Sequence, residues 1–295
     1  RCSYCSFISH SNDKAKKLMP EYTEYLIKEI EETGKIAKSL GLKLESVYYG
    51  GGTPTALTEE LLKKVSDAVS ANCDLSDIKE YTIEAGRPDS VTREKFRIMK
   101  SCGCNRISIN PQTFNDDVLK EIGRNHTSAR TLEAMKTARE EGSGFINMDL
   151  IAGLPTDTLE SYQNTLDTVL SLEPENITVH TLALKRSATL VTDKRETNTG
   201  DLASRMLSHT YKTLTSAGYI PYYMYRQSKS LGNLENVGWA KDGYEGLYNV
   251  YMMEECHTIL SVGAGAVTKL KNTKGNEIER IFNYIYPYEY INDFD

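Results

Sequence analysis

No run of about 18 consecutive apolar residues occurs in this chain, so no segment is long enough to cross a bilayer as a helix. A cationic excess is missing as well: 35 Lys and Arg stand against 41 Asp and Glu, for a net charge of −6. Broad binding to nucleic acid or to an anionic membrane needs a basic face, and this balance argues against both. Cysteine is sparse, with 6 in 295 residues, too few for a disulfide scaffold; reduced thiols in a cytoplasmic protein are expected. Neither a Gly-Lys-Ser/Thr P-loop nor a G-x-G-x-x-G fingerprint is found. Low-complexity tracts and solenoid repeats are absent, and no signal peptide is visible in the sequence as it stands.

What remains is a chain of ordinary charge, long enough to bury a sizeable core as one large α/β domain or one domain with an appendage. Apolar periodicity predicts a helix from Pro20 to Leu40 and a strand over Leu44–Tyr49. A helix follows behind Thr58, with Glu59 and Glu60 in its first turn. Further strands are expected at Tyr81–Ala85, Asn105–Ile109, Phe145–Ile151 and Ile177–Leu182. Helices are expected at Thr92–Lys100, near 115–122 and 128–141, at Leu159–Leu170 and over roughly 201–217. Strands alternating with helices mean β–α units and a mainly parallel sheet.

Such a sheet could be open and doubly wound, or curled into a barrel. Polar or glycine residues sit at the C-terminal end of strand after strand: Gly50–Gly52, Glu84, Gln112, Asp149 and His180. A barrel builds its chemistry on that rim, whereas an open doubly wound sheet concentrates it at one switch point. The barrel is the better reading. After residue 185 the pattern turns polar and then rich in aromatics and glycines, and most of the 19 tyrosines lie beyond residue 210. The expected division is therefore a core over 1–185 and a smaller α+β region over 186–295.

The stretch that organises the rest is Arg1-Cys2-Ser3-Tyr4-Cys5-Ser6-Phe7. Two thiolates separated by two residues can grip one metal centre, and soft ligands suit zinc or an iron–sulfur cluster. A lone C-x-x-C also reads as a thiol-redox pair or as half of a zinc site, and no second C-x-x-C completes a four-thiolate zinc site. Gly50-Gly51-Gly52-Thr53-Pro54-Thr55 follows a strand directly. Its glycines allow close approach of a ligand to the backbone amides, or simply a tight strand–helix turn.

Arg-Cys-x-Tyr-Cys-x-Phe resembles the last two-thirds of the C-x3-C-x2-C motif of the radical S-adenosylmethionine family. The branch it is similar to contains the oxygen-independent coproporphyrinogen III dehydrogenases. The resemblance implies a partial (β/α)6 barrel with a smaller C-terminal α+β region. It also implies a [4Fe–4S] cluster with Cys2 and Cys5 as ligands, and S-adenosylmethionine on its open iron. The family pattern puts a third cysteine three positions before Arg1, upstream of this sequence, so an incomplete cluster site is expected in this chain.

Carried over residue by residue, the resemblance assigns S-adenosylmethionine contacts to Tyr4, Gly51, Gly52, Thr53, Glu84, Gln112, Arg124, Asp149 and Ala183. The Arg106–Asn115 segment looks like the family's Arg-Ile-Ser-x-Gly-x-Gln-Ser-Phe, with Asn110-Pro111 as the departure. Each residue also has a plainer reading: Glu84 as a partner of Arg87, Arg124 as a surface pair with Glu121, Asp149 as a structural carboxylate. Taken as a set, they favour function. His126, Cys73, Cys102, Cys104 and Cys256 receive no role.

Residues 223–227, 232–238 and 261–266 resemble the branch called the HemZ type more than the haem-chaperone branch. Tyr225, Arg226 and Gln227 are the candidates for a flat, carboxylate-bearing tetrapyrrole, through stacking and bidentate contacts; a tyrosine-rich core strand explains them equally well. The implied activity is oxidative decarboxylation of coproporphyrinogen III to protoporphyrinogen IX, fed by a reductant such as flavodoxin or ferredoxin. A haem chaperone of the same superfamily and a zinc or thiol-redox protein are the alternatives.

Overall fold

A computed structural model describes residues 2–5, 13–272, 274–275 and 277–294. In chain order the elements are α1 (Asp13–Ser39), β1 (Ser46–Tyr49), α2 (Glu59–Asn72), β2 (Glu80–Glu84), α3 (Arg93–Ser101), β3 (Arg106–Ser108), α4 (Asp116–Glu121) and α5 (Ser128–Glu141). There follow β4 (Phe145–Ala152), α6 (Leu159–Ser171), β5 (Asn176–Thr181), α7 (Thr189–Thr192), α8 (Gly200–Ser216) and β6 (Ile220–Tyr225). The chain closes with β7 (Asn236–Ala240), α9 (Leu247–Glu254), β8 (Val267–Lys271), β9 (Ile278–Phe282) and α10 (Pro287–Asn292).

Threonine sets the starts of the helices. Thr58, Thr92, Thr127, Thr158 and Thr199 each accept the backbone N–H three residues on, opening α2, α3, α5, α6 and α8. Each such cap is worth about 1 kcal/mol. The first helix begins earlier than its proline predicts. Proline favours a first turn, but Pro20 lies inside α1. Its fixed φ is helical, and it forgoes one backbone hydrogen bond.

The main sheet has seven strands in the order β1-β2-β3-β4-β5-β7-β6. The first five are parallel and lie in sequence order, with no reversal that would create a switch point. The strands β2, β3 and β5 are almost wholly buried, as expected for parallel strands covered on both faces. The core runs through Tyr81, Ile83, Phe96, Met99, Ile107, Met148, Leu150, Tyr162, Leu166 and Ile177. The sheet is thus a curled half-barrel with helices outside, as the strand-end pattern of polar residues leads one to expect.

The sixth strand departs from a simple repeat. β7 inserts antiparallel between β5 and β6, pairing Thr178 with Gly238 and Tyr223 with Gly238 on its two sides. β6 therefore runs in the direction of β1–β5 but is one strand removed from them. α9 packs against both edge strands, β1 and β6, across the open side of the half-barrel.

A buried ion pair at the strands' N-terminal end ties α9 in place. Arg106 Nε meets Glu80 Oε2 at 3.1 Å, and the same carboxylate accepts the backbone N–H groups of Leu247 and Tyr248 at 2.8 and 3.2 Å. Outside the sheet, Glu29 of α1 accepts from Gly263 N, Asn283 Nδ2 and the Tyr290 hydroxyl at 2.6–2.8 Å. This fastens the β8–β9 hairpin and α10 to the first helix. Among the described residues no helix is long and apolar enough to cross a membrane.

Candidate functional site

The cysteine loop is held by its backbone. Ser3 N donates to Ile122 O at 2.9 Å, just past α4, and Ser3 O accepts from Leu190 N of α7 at 2.8 Å. Tyr4 packs on the cluster of Val118, Ile122, Leu190 and Leu231, and its hydroxyl accepts from Arg124 Nη2 at 3.1 Å. Burial pushes the Tyr4 phenol up to about 12, against the pull of Arg124. Arg124 also donates from Nη1 to Gly86 O at 3.1 Å. It is therefore no surface partner of Glu121; Glu121 pairs instead with Arg195 at 3.4 Å.

Cys2 and Cys5 lie on one turn, Cys5 N donating to Cys2 O at 3.2 Å, and neither is in a disulfide. Among the described residues no group of three or more His, Cys, Asp or Glu is placed to hold a metal ion. The sequence expectation of a third thiolate upstream concerns a residue that this chain does not contain.

A polar track runs from this loop across the strand ends. Gly86 lies against the Asn110 side chain, since an added Cβ there would be 3.3 Å from Asn110 Nδ2. Ser108 donates to Asn110 Oδ1 at 2.6 Å and accepts from Asn147 Nδ2 at 3.0 Å. Asn147 Nδ2 also donates to Asp149 Oδ1 at 2.7 Å, and Thr178 donates to Asn147 Oδ1 at 3.1 Å. The track thus links β5, β4, β3 and the loop after β2 to Arg124.

At the far end stand two carboxylates and a histidine. Asp149 Oδ2 lies 3.7 Å from His180 Nε2, and the other His180 ring nitrogen lies 3.5 Å from the Tyr225 hydroxyl. Gln227 Nε2 donates to that hydroxyl at 3.3 Å. Glu84 accepts from the Tyr48 hydroxyl. Burial pushes the Glu84 carboxyl up to about 7; the Tyr48 hydrogen bond and His180 restrain the rise, and Asp149 adds to it.

Gln112 is held in the left-handed region at φ 68° by backbone bonds to β4, Gln112 N to Asp149 O at 2.9 Å and Ile151 N to Gln112 O at 3.0 Å. A non-glycine residue in that conformation is strained and persists because its surroundings fix it. The rigid Asn110-Pro111 entry therefore presents Gln112 firmly. Its Oε1 is buried without a protein partner, and so is Arg124 Nε. Buried polar atoms of this kind call for a partner the chain does not supply.

The glycine loop is open. A Cβ added at Gly51 or Gly52 would meet nothing within 4 Å, and Gly51 has φ +101°. Thr53 donates to Gly52 O at 2.7 Å. A buried lysine staples this loop to its neighbour: Lys95 Nζ donates to Thr55 O at 2.8 Å and to Ser90 O at 2.9 Å. Ala183 lies beyond β5 and bridges to Ser230. The orphaned Gln112 and Arg124 atoms, the open amides and two thiols on one turn fit a sulfur-bound cluster and a zwitterionic nucleoside ligand.

Most predicted residues thus share one rim. Arg226 departs from its neighbours: it is exposed and faces Glu235 at 3.7 Å, while Tyr225 and Gln227 turn to His180. Tyr48, Tyr248, Asn147, Lys95 and the pairing of His180 with Asp149 escaped the sequence reading. Only His180 carried a signal, its place at the end of a strand.

Residues 1–169 match the Radical SAM superfamily. The whole chain is 36% identical to the oxygen-independent coproporphyrinogen-III oxidase-like protein HemZ of Bacillus subtilis, spanning 60% of that protein. It is 38% identical over 185 residues to the haem chaperone HemW of the same organism, covering 62% of this chain and 48% of HemW. Coproporphyrinogen III oxidase (HemN) from Escherichia coli, a radical SAM enzyme, shares the fold with a TM-score of 0.73 at 22% identity, over 90% of this chain and 61% of that one.

Proposed function

The chain belongs to the Radical SAM superfamily, and from that premise we propose that it works on a tetrapyrrole, as an oxygen-independent coproporphyrinogen III dehydrogenase of the HemZ type. Membership brings a [4Fe–4S] cluster and S-adenosylmethionine as cofactors, which supports reading Cys2 and Cys5 as iron ligands rather than as a zinc or thiol-redox pair. When bound, these cofactors supply a 5′-deoxyadenosyl radical able to take a hydrogen atom from an unactivated carbon. The observation that carries the substrate reading is the 36% identity to the HemZ-like protein along the entire chain, including residues 186–295, against 28% for a HemW haem chaperone also aligned along the whole chain.

The chain's own residues bind, orient and shield. Cys2 and Cys5 would hold iron. The open amides of Gly51 and Gly52 with Thr53 receive the polar methionyl end. Arg124 gives a fixed positive charge beside Cys2 and Tyr4, and Gln112 offers a buried acceptor without protein partner. Glu84 and Asp149 accept from ammonium or ribose donors. Ala183 would lie against the adenosyl part. Tyr225 and Gln227 belong to the substrate side, together with His180. Arg226, on the outer surface, would reach a substrate carboxylate only at the mouth. A propionate β-hydrogen of the substrate would leave as a hydrogen atom to the 5′-deoxyadenosyl radical, and loss of carbon dioxide and of one electron, the latter to an external one-electron acceptor, would leave a vinyl group; two rounds would give protoporphyrinogen IX. A flavodoxin or ferredoxin would supply the electron that starts each round.

Similarity to HemW favours one alternative, haem chaperoning with little or no decarboxylation. Anaerobic incubation of the full protein, its cluster reconstituted, with coproporphyrinogen III and S-adenosylmethionine separates the two. The proposal expects vinyl-bearing product together with 5′-deoxyadenosine. Tight haem binding without vinyl product would replace it with the chaperone reading.

A further inference from the structure

Tyr48 stands where the glycine loop, the second strand and α9 meet. A Cβ added at Gly50 would lie 2.6 Å from Tyr48 Cε1 and 3.2 Å from Glu84 Oε1, so the loop lacks a side chain where the ring passes. The same ring stacks on Tyr248, with centroids 3.9 Å apart and planes 14° from parallel. The Tyr48 hydroxyl donates to Glu84 Oε1.

Tyr248 is itself fixed from three strands. Its backbone N–H and that of Leu247 are accepted by Glu80 of β2. The neighbouring Asn249 donates to the Tyr222 hydroxyl of β6 at 3.0 Å. One turn on, the Tyr251 hydroxyl donates to Glu45 Oε2, just before β1, at 2.6 Å. The helix segment that carries the ring over Tyr48 is therefore tied to β2 and to both edges of the half-barrel.

We propose that Tyr48 is a positioning residue for the Glu84 carboxylate, and that Tyr248 of α9 holds Tyr48 in register from across the open side of the half-barrel. The consequence is that a helix of the 186–295 region completes the cofactor end of the rim. A phenol that donates to a carboxylate favours its ionised form, and only the ionised form accepts at both oxygens. The other groups facing Glu84 are Asp149 from β4, which disfavours ionisation, and His180 from β5, which favours it. Tyr248 from α9 also senses the Glu84 charge. The effect on cofactor affinity rests on the reading of Glu84 as an S-adenosylmethionine ligand; its effect on Glu84 itself does not.

The test uses the full, cluster-loaded protein with isotope-labelled glutamate, following the Glu84 carboxyl by infrared titration without ligand and assigning it by difference from Glu84→Gln. S-adenosylmethionine affinity is measured in parallel from pH 6 to 9, on the order of one half-unit per step, around a midpoint near the ordinary range of a perturbed carboxyl. Tyr48→Phe is expected to raise the midpoint by about one pH unit. It should weaken S-adenosylmethionine binding about fivefold near pH 7, with the loss vanishing near pH 9, where both proteins are ionised. Tyr248→Ala should shift the midpoint in the same direction by less, and Tyr248→Phe should restore wild-type behaviour. An unmoved midpoint in Tyr48→Phe, or a loss of affinity independent of pH, would overturn the proposal. A midpoint that shifts as stated in a protein that does not bind S-adenosylmethionine would support the Tyr48–Glu84 link and refute the cofactor reading instead.

Discussion

The two ends of the rim are built in opposite ways. At the cysteine end the chain is held by backbone hydrogen bonds to Ile122 and Leu190, and the buried guanidinium of Arg124 stands beside it, with the Arg87–Asp89 pair nearby. At the far end the backbone is ordinary strand, and the fixing is done by side chains: Glu84, Asp149, His180, Tyr48 and Tyr225. One end is cationic beside two thiols; the other is anionic. A ligand that carries a carboxylate at one end, with an ammonium, a sulfonium and ribose hydroxyls along it, would lie along such a gradient without reversing it. On the proposed reading, such a rim would select its ligand by the order of charges as well as by shape.

Variants that strip one end at a time test this polarity. If Cys2 and Cys5 hold iron as proposed, Cys2→Ala or Cys5→Ala should lower cluster content and S-adenosylmethionine cleavage more than about a hundredfold, since losses one shell further out already reach that size. Iron and labile-sulfide analysis of anaerobically purified protein checks it. Arg124→Ala leaves the Tyr4 hydroxyl and Gly86 O without their donor. It should cost about 1–3 kcal/mol of stability and weaken S-adenosylmethionine binding about tenfold, as seen by denaturant melts and calorimetry; a loss of affinity smaller than that of Asp149→Asn would reverse the ranking of the two ends. Burial is the main cause of the raised Glu84 carboxyl and Asp149 adds to it, so Asp149→Asn should let the Glu84 midpoint fall below about 7 while His180 loses its anionic neighbour.

The smallest effect is a pH dependence of stability in which two groups oppose each other. Glu84 is raised from 4.5 to about 7 on folding, so the folded state holds its proton more tightly and stability falls as pH rises through that window. His126 is lowered from 6.5 to about 4, by burial first and Arg124 second. Its unfolded form binds the extra proton, so stability rises as pH goes from about 4 to 6.5. The contributions offset one another in the overlap. His126→Gln should expose the Glu84 slope, giving a melting temperature that declines more steeply between pH 5 and 7 than in the wild type, over about the span of the two shifts.

Part of the rim was legible because Gly51, Glu84 and Gln112 lie at or beyond strand ends inside local motifs, whereas Arg124, which follows α4, and Asp149, which lies within β4, drew their roles from the family resemblance. Gly51, Glu84, Gln112, Arg124 and Asp149 needed no long-range information to be singled out. The parallel β–α units followed from the alternation of strands and helices, and the choice of a barrel over an open sheet from the polar residues at successive strand ends. The insertion of β7 between β5 and β6 was not legible, because Gly238 pairs with both Thr178 and Tyr223 only through contacts distant in sequence. α9 was missed for the same reason: its place depends on the Glu80 carboxylate more than 160 residues earlier. Tyr48 looked like an ordinary strand aromatic, and only the ring of Tyr248 beside it shows otherwise.

The most direct measurement is the electron paramagnetic resonance spectrum of the reduced, cluster-loaded full protein titrated with S-adenosylmethionine, in wild type and in Glu84→Gln. If thiols and carboxylates grip one ligand, the wild-type cluster signal changes on addition, and Glu84→Gln needs about tenfold more S-adenosylmethionine for the same change while its ligand-free spectrum is unaltered. A cluster signal indifferent to S-adenosylmethionine, or a Glu84→Gln titration that overlays the wild type, would contradict a single site spanning the rim.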